Sequence, residues 1–186
     1  LNVYIGDDAS LQTVNDEVPG SGQFYPSDSA PDTADAGWFV AVGGHLYGPN
    51  FEEHPAGTAT SSLGDAGTPY TPYTPISISA VTGSGSRGSP YQVTVVDDVA
   101  ATNLRGTLQI SYVNGDGYAT ETFTLQNNGD AAQTVKLFKG GDIYLAASDD
   151  GIPYRQAASN SVGGEGGAAC GDEGDNYYIL IIPQIA

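Results

Sequence analysis

Two histidines, His45 and His54, are the only imidazoles in the chain. Glu52-Glu53-His54 sets carboxylates beside one of them, a pairing that serves a general base only where a cleft and a proton donor are also in place. The chain has neither a Gly-x-Ser-x-Gly turn nor a His-Glu-x-x-His pair. Paired carboxylates are the machinery of glycosidases, but a chain with 22 Asp and Glu residues brings such pairs together by number alone. Both histidines therefore read as loop residues, and no enzymatic activity is expected. Cys170, the single cysteine, lies between Glu165 and Asp172 with Glu173 close by. Negative neighbours disfavour the thiolate, so it reads as a spare thiol rather than a nucleophile, with an intermolecular disulfide as the alternative.

Oxygen ligands are abundant. Asp7-Asp8, Asp97-Asp98, Asp149-Asp150 and Asp172-Glu173-Gly174-Asp175 are acidic clusters of the hard-oxygen kind that suits Ca²⁺. None has the EF-hand spacing. Asp149, Asp150, Asp172, Glu173 and Asp175 are taken as the candidate Ca²⁺ ligands, against the alternative of solvated acidic loops. No other cofactor is expected. Aromatic side chains can stack on sugar rings, and Tyr70 and Tyr73, in the repeat Thr68-Pro69-Tyr70-Thr71-Pro72-Tyr73-Thr74-Pro75, read as exposed candidates for a carbohydrate platform. Trp38-Phe39-Val40-Ala41-Val42 reads instead as a buried strand, which places Trp38 in the core.

The composition limits the partners. Lys and Arg total 5 against 22 acids, a net charge of -17 in 186 residues. Few cations are on hand to displace counterions from a phosphate backbone, so nucleic acid is excluded as an expected partner. An anionic membrane surface repels such a chain, and no apolar run reaches the roughly 20 residues of a membrane helix. The same charge opposes self-association unless cations intervene. No Met occurs, even at position 1. Leu1 is therefore expected to arise by processing, through removal of a signal peptide or excision from a larger protein. A Gly-, Ser-, Thr-, Asn- and Tyr-rich, Lys-poor composition agrees with secretion, and no Asn-x-Ser/Thr acceptor is present.

Short β-branched and aromatic runs, punctuated by 26 Gly and 11 Pro, must position these residues. Apolar spacing of the helical kind is always broken by Gly or Pro. The clearest element is a hairpin. Leu108, Ile110 and Tyr112 alternate with Thr107, Gln109 and Ser111; Asn114-Gly115-Asp116-Gly117 supplies the turn; Phe123 and Leu125 return opposite Thr120, Thr122 and Thr124. One face is dry and one wet, as in an antiparallel sandwich. Further strands are predicted at Trp38–Val42, Ile76–Val81, Tyr91–Val96, Gln133–Phe138 and Ile143–Ala146, with a second turn at Asn127–Asp130. Residues 50–75 read as a long Pro-rich loop with a polyproline-like path. Residues 159–174 read as a Gly-rich, acidic, mobile loop. At the termini, Leu1, Val3 and Ile5 alternate with Asn2 and Tyr4, and Tyr177–Ile182 is apolar on both faces. Such a strand either lies centrally in its own sheet or completes the sheet of a neighbour.

Gly44-His45-Leu46-Tyr47-Gly48-Pro49, Pro55-Ala56-Gly57, Tyr73–Ser77, Gly83–Ser86 with Pro90-Tyr91, Phe123–Gly129, and Gly141–Leu145 with Ser148–Gly151 stand in an order that resembles secreted bacterial surface proteins and modules with Ig-like β-sandwich repeats. The resemblance covers roughly residues 40 to 170. It implies spacing, display or assembly at a cell surface, and it carries no catalytic residues over. In that pattern a cysteine often follows the Gly-Asp, with a second one downstream. Here Ile143 stands at that position and only Cys170 remains, so the bridge is absent.

The expectation is one all-β domain over residues 1–186, an antiparallel β-sandwich, Ig-like or larger, with long loops. Its expected role is that of a non-enzymatic extracellular subunit that assembles with itself through terminal strands, using Leu1, Val3, Ile5, Ile179 and Ile181. The alternative is an adhesin-type module that binds carbohydrate or a host surface.

Overall fold

The computed structural model describes residues 1–15, 17, 36–50, 70–141, 143, 145, 151–167 and 177–184. These residues form thirteen strands and one 3-10 turn, arranged in three sheets. Pairing is antiparallel except between β4 and β5.

Sheet one runs β1 (Asn2–Ile5), β2 (Leu11–Val14), β3 (Ala36–Val42), β4 (His45–Gly48) and β5 (Thr71–Pro72), with β10 (Val135–Gly141) paired to β3 along its whole length. Sheet two runs β6 (Thr74–Ile78), β7 (Tyr91–Asp98), β8 (Leu104–Tyr112) and β9 (Ala119–Asn127). Sheet three runs β11 (Ile152–Gln156), β12 (Ser161–Gly166) and β13 (Tyr177–Ile181).

The predicted hairpin is β8–β9, with Leu108 opposite Phe123 and Tyr112 opposite Ala119. Its turn closes through an Asp116 N–H to Val113 carbonyl bond of 3.1 Å, and Gly115 takes φ 89. That left-handed angle is the reason a glycine stands there. Alternation sets the burial. In β7 the side chains of Val93, Val95 and Asp97 are buried, and in β8 those of Leu104, Leu108 and Ile110. The Asn127–Asp130 turn forms as expected, with the Asn127 carboxamide oxygen accepting from the Gly129 N–H.

Two apolar clusters join sheets one and two. The first gathers Ala9, Leu11 and Ala36 with Val93, Val95, Leu108 and Ile110; the second gathers Val40, Val42, Tyr73, Val99 and Leu104. Phe123 packs against both. Sheet three reaches the first cluster through Ile179, and Ile143 packs against that cluster too.

Several sequence expectations need correction. Residues 50–75 are not loop throughout: Thr71–Pro72 is β5 and β6 begins at Thr74. The 159–174 segment is not a loop at its start, because Ser161–Gly166 is the central strand of sheet three. Glycine there serves close approach rather than turning. A Cβ on Gly163 would overlap the Ile179 carbonyl, and one on Gly166 would lie 2.7 Å from the Leu145 carbonyl oxygen. The strand predicted at Ile76–Val81 starts earlier and ends at Ile78. Of Ile143–Ala146, only Ile143 and Leu145 are described, and neither lies in a named strand. β13 is an edge strand, not a central one.

Gly163→Ala is therefore expected to cost about 2–3 kcal/mol by overpacking and to speed amide exchange across β13. Gly117→Ala, where a Cβ meets nothing within 4 Å, is the control and should be near neutral. Hydrogen exchange of residues 177–181 in both variants checks this.

Candidate functional site

The tight turn between β1 and β2 is built around Asp8. Its Oδ1 accepts from the Ser10 N–H at 3.0 Å and the Ser10 hydroxyl at 2.6 Å. Its Oδ2 accepts from the Asn50 N–H at 2.7 Å, which ties the turn to the end of β4. Ala9, fully buried, takes φ 65, a left-handed angle that a residue with a Cβ rarely adopts. The backbone is thus bent against preference to hold Asp8 inward.

Asp97 lies on β7. It is 2% exposed, and its Oδ1 is buried with no hydrogen-bond partner. The Asn50 Oδ1 is likewise buried and unpartnered. Burial first, then the charges of Asp8, Asp7 and Asp98, push the Asp97 carboxyl up to about 7. Tyr73 feels the charge of Asp97. Its hydroxyl donates to the Trp38 carbonyl at 2.8 Å, and burial, with a smaller contribution from Asp97, raises its pKa well above the ordinary range.

A second polar group bridges sheets one and two. Glu121 Oε2 accepts from Trp38 Nε1 and from Lys139 Nζ, each at 2.7 Å. Trp38 stacks on Phe123 with ring centroids 5.6 Å apart and an interplanar angle of 5°, and Lys139 Nζ sits 5.7 Å from the Trp38 ring centroid. The Lys139 side chain is 9% exposed. Burial lowers its pKa, and Glu121 opposes the shift. This cluster ties β3 and β10 to β9 through opposite charges.

The residues predicted to bind fall in different places. Tyr73 is 4% exposed, so it is part of the second cluster and not an open platform. Tyr70 is half-buried, its ring edge-on to Phe39 at 5.9 Å and 82°. Trp38 is half-buried and packs against the first cluster. His45 is exposed at the start of β4, opposite Val42. Asp149, Asp150, Asp172, Glu173, Asp175, Cys170 and His54 lie outside the described residues. Among the described residues, no group of three or more His, Cys, Asp or Glu could hold a metal.

The predicted assembly residues sit at sheet edges. β1 pairs with β2 and β13 with β12, each as the last strand of its sheet. Val3, Ile5 and Ile179 pack against the first apolar cluster. Val3 and Ile5 also line an apolar groove of about 160 Å³ with Tyr91, Val93, Ile110 and Tyr112. Leu1 and Ile181 are half-buried. The strand predicted at Gln133–Phe138 is β10, but sequence reasoning did not show that its Leu137 and Phe138 stay 43% and 49% exposed. It also missed that two of the four acidic clusters act on one buried carboxyl.

No helix among the described residues is long and apolar enough to cross a membrane. The chain matches no protein-family model, no curated protein and no solved structure among those compared.

Proposed function

We propose that this chain is an extracellular structural subunit that associates with copies of itself through its terminal β-strands. In this reading sheets one and two are the layers of an Ig-like sandwich, and sheet three braces one side. The observation that carries it is the placement of two apolar strands: among the described residues, β1 and β13 are each the outermost strand of a sheet. Neither strand contains a charged residue. Natural edge strands are usually guarded by charge, proline or a bulge, so bare apolar edges favour pairing with another chain. A terminal strand can leave its own sheet and remake the same contacts in a neighbour, which is a low-cost route to self-association. The outer edge of β10 offers an acceptor on each copy, since β3 is its one strand partner among the described residues.

Net charge sets the conditions. A charge of -17 repels copies at low ionic strength, so association should strengthen with salt. The carbohydrate-binding alternative is weakened by the burial of Tyr73, which leaves Tyr70 as its one candidate tyrosine.

Deletion of Leu1–Ile5 is expected to give a folded monomer that no longer assembles. Near-ultraviolet circular dichroism checks the fold, and sedimentation velocity checks the mass. Because Val3 and Ile5 also support the core, Ile181→Lys in β13 is the companion variant, expected to weaken assembly with little change in fold. Normal assembly by both variants would discard the terminal-strand reading.

A further inference from the structure

We propose that Asn114, at the tip of the β8–β9 hairpin, is a site of spontaneous covalent modification. The Gly115 backbone nitrogen attacks its carboxamide, ammonia leaves, and aspartate or isoaspartate stands in its place. The reaction needs no partner chain and does not depend on self-association.

The chemistry is intramolecular. The Gly115 nitrogen gives its proton to solvent base and bonds to Asn114 Cγ. The Cγ–Nδ2 bond breaks, and Nδ2 leaves as ammonia. The resulting succinimide takes up one water and opens on either side, to aspartate or to isoaspartate. Net, water is consumed and ammonia released, and no oxidant, metal or second protein enters. Ring closure gains from holding nucleophile and electrophile in one short stretch of chain. It goes most easily before glycine, where no side chain crowds the attacking nitrogen and the backbone turns freely. Asn is accordingly among the thermolabile residues.

The chain holds two Asn-Gly steps, Asn114-Gly115 and Asn128-Gly129, each followed by Asp. Their local sequences are alike, so the fold decides between them. At the first, Asn114 and Gly115 are both exposed, and a Cβ on Gly115 would meet nothing within 4 Å. Among the described residues the Gly115 N–H has no hydrogen-bond partner. At the second, the attacking nitrogen is already engaged, because the Gly129 N–H donates to Asn127 Oδ1 at 3.0 Å. Asn127 Nδ2 donates in turn to the Ala131 carbonyl at 2.8 Å, and the Asn128 N–H donates to the Asn103 carbonyl at 2.8 Å. A Cβ on Gly129 would lie 3.3 Å from the Asn103 side chain. Ring closure has to swing the Asn-Gly peptide unit towards the Asn side chain. At 128 that motion breaks a bonded, crowded turn, whereas an exposed hairpin tip opens at low cost.

The product alters the hairpin. Each event adds one negative charge to a chain already at -17. Isoaspartate also routes the main chain through Cβ and Cγ, adding one methylene between the Val113 carbonyl and the Asp116 N–H. The 3.1 Å bond that closes the turn then no longer spans the two residues it was built for. Asp116, which holds Arg87 at 3.0 Å, shifts with it.

The test incubates the whole chain at pH about 8, in native buffer and in parallel in concentrated urea, and maps its peptides by mass spectrometry. Conversion adds about 1 Da to the peptide that carries it. In urea both steps are expected to react at similar rates, since both read Asn-Gly-Asp. In native buffer Asn114 is expected to react at least about tenfold faster than Asn128, whose turn must first open. Asn114→Gln, which would have to close a larger ring, should remove most of the mass gain seen in native buffer. The proposal is overturned if Asn114 stays intact in native buffer, or if the ratio of the two sites there is no larger than in urea. An undiminished mass gain in Asn114→Gln would place the reaction elsewhere and equally overturn it.

Discussion

Glu121→Gln is expected to lower the unfolding free energy by about 2–4 kcal/mol at neutral pH, one of the two largest single effects foreseen for this chain. The substitution is nearly isosteric, and its amide oxygen can still accept from Trp38 Nε1. What it removes is the countercharge of Lys139, whose side chain is 9% exposed. Removing one partner of a buried pair leaves the other charge uncompensated, which costs far more than the pair contributes while intact. Burial already holds the Lys139 pKa below its ordinary value, and Glu121 is what opposes that shift. Without Glu121 the folded-state pKa falls further below the unfolded one. The folded state then favours the neutral amine, so the variant gains stability as pH rises from the folded pKa towards the unfolded one. The deficit should therefore narrow as pH rises from neutral towards the ordinary lysine pKa of roughly 10. Lys139→Met in the same background removes the buried charge and should recover most of the loss. Urea titrations of the single and double variants across that pH range decide the matter. Equal instability of both would show that packing, not charge, holds Trp38 in place.

Asp97→Asn should act in the opposite direction. The Asp97 carboxyl is raised from 3.8 to about 7 by burial and by neighbouring acids. Below about pH 4 both folded and unfolded states carry the proton, and no penalty applies. As pH rises towards 7 the unfolded chain releases its proton while the folded chain keeps it, so this residue lowers stability progressively, and the loss is complete above about 7. In metal-free buffer the variant should therefore gain on the wild type by up to ~1.4 kcal/mol per pH unit across that window. Comparing the pair at each pH cancels the other acids. A stability difference that does not vary between pH 4 and 7 would mean that Asp97 ionises normally.

The parts of this structure that follow from local pattern were legible in the sequence. The β8–β9 hairpin needs only strict alternation and an Asn-Gly turn, and the two strands pair antiparallel on either side of that turn. β7 was legible for the same reason. The third sheet was not, because β12 reads Ser-Val-Gly-Gly-Glu-Gly. Glycine there admits the Ile179 backbone at close range, a need that arises only once β13 is in place. Tyr70 and Tyr73 stand in repeated Thr-Pro-Tyr units that are locally alike. Their different burial is decided by pairing of β5 on β4 and by the Trp38 carbonyl that accepts from Tyr73, both tertiary facts. The acidic pairs at 7–8 and 97–98 were visible in the sequence, but the effect of the Asp7 and Asp8 charges on the buried Asp97 carboxyl is a tertiary fact.

Placement of the terminal strands followed partly from composition. An apolar run at each end signalled a strand, but the apolar character of Tyr177–Ile181 suggested a central position, whereas it forms an edge. The first cluster explains why the edge is tolerated: Ile179 packs against it, and Tyr178 is held by a 2.9 Å hydrogen bond to Glu165. Each terminal strand thus owes its place to a few apolar contacts that another copy can supply equally well.

Multi-angle light scattering of the intact chain, over a range of concentration and salt, tests self-association most directly. The expected result is a mass well above the 19.1 kDa protomer that grows with concentration and with added salt. A monomer of that mass under every condition would contradict it.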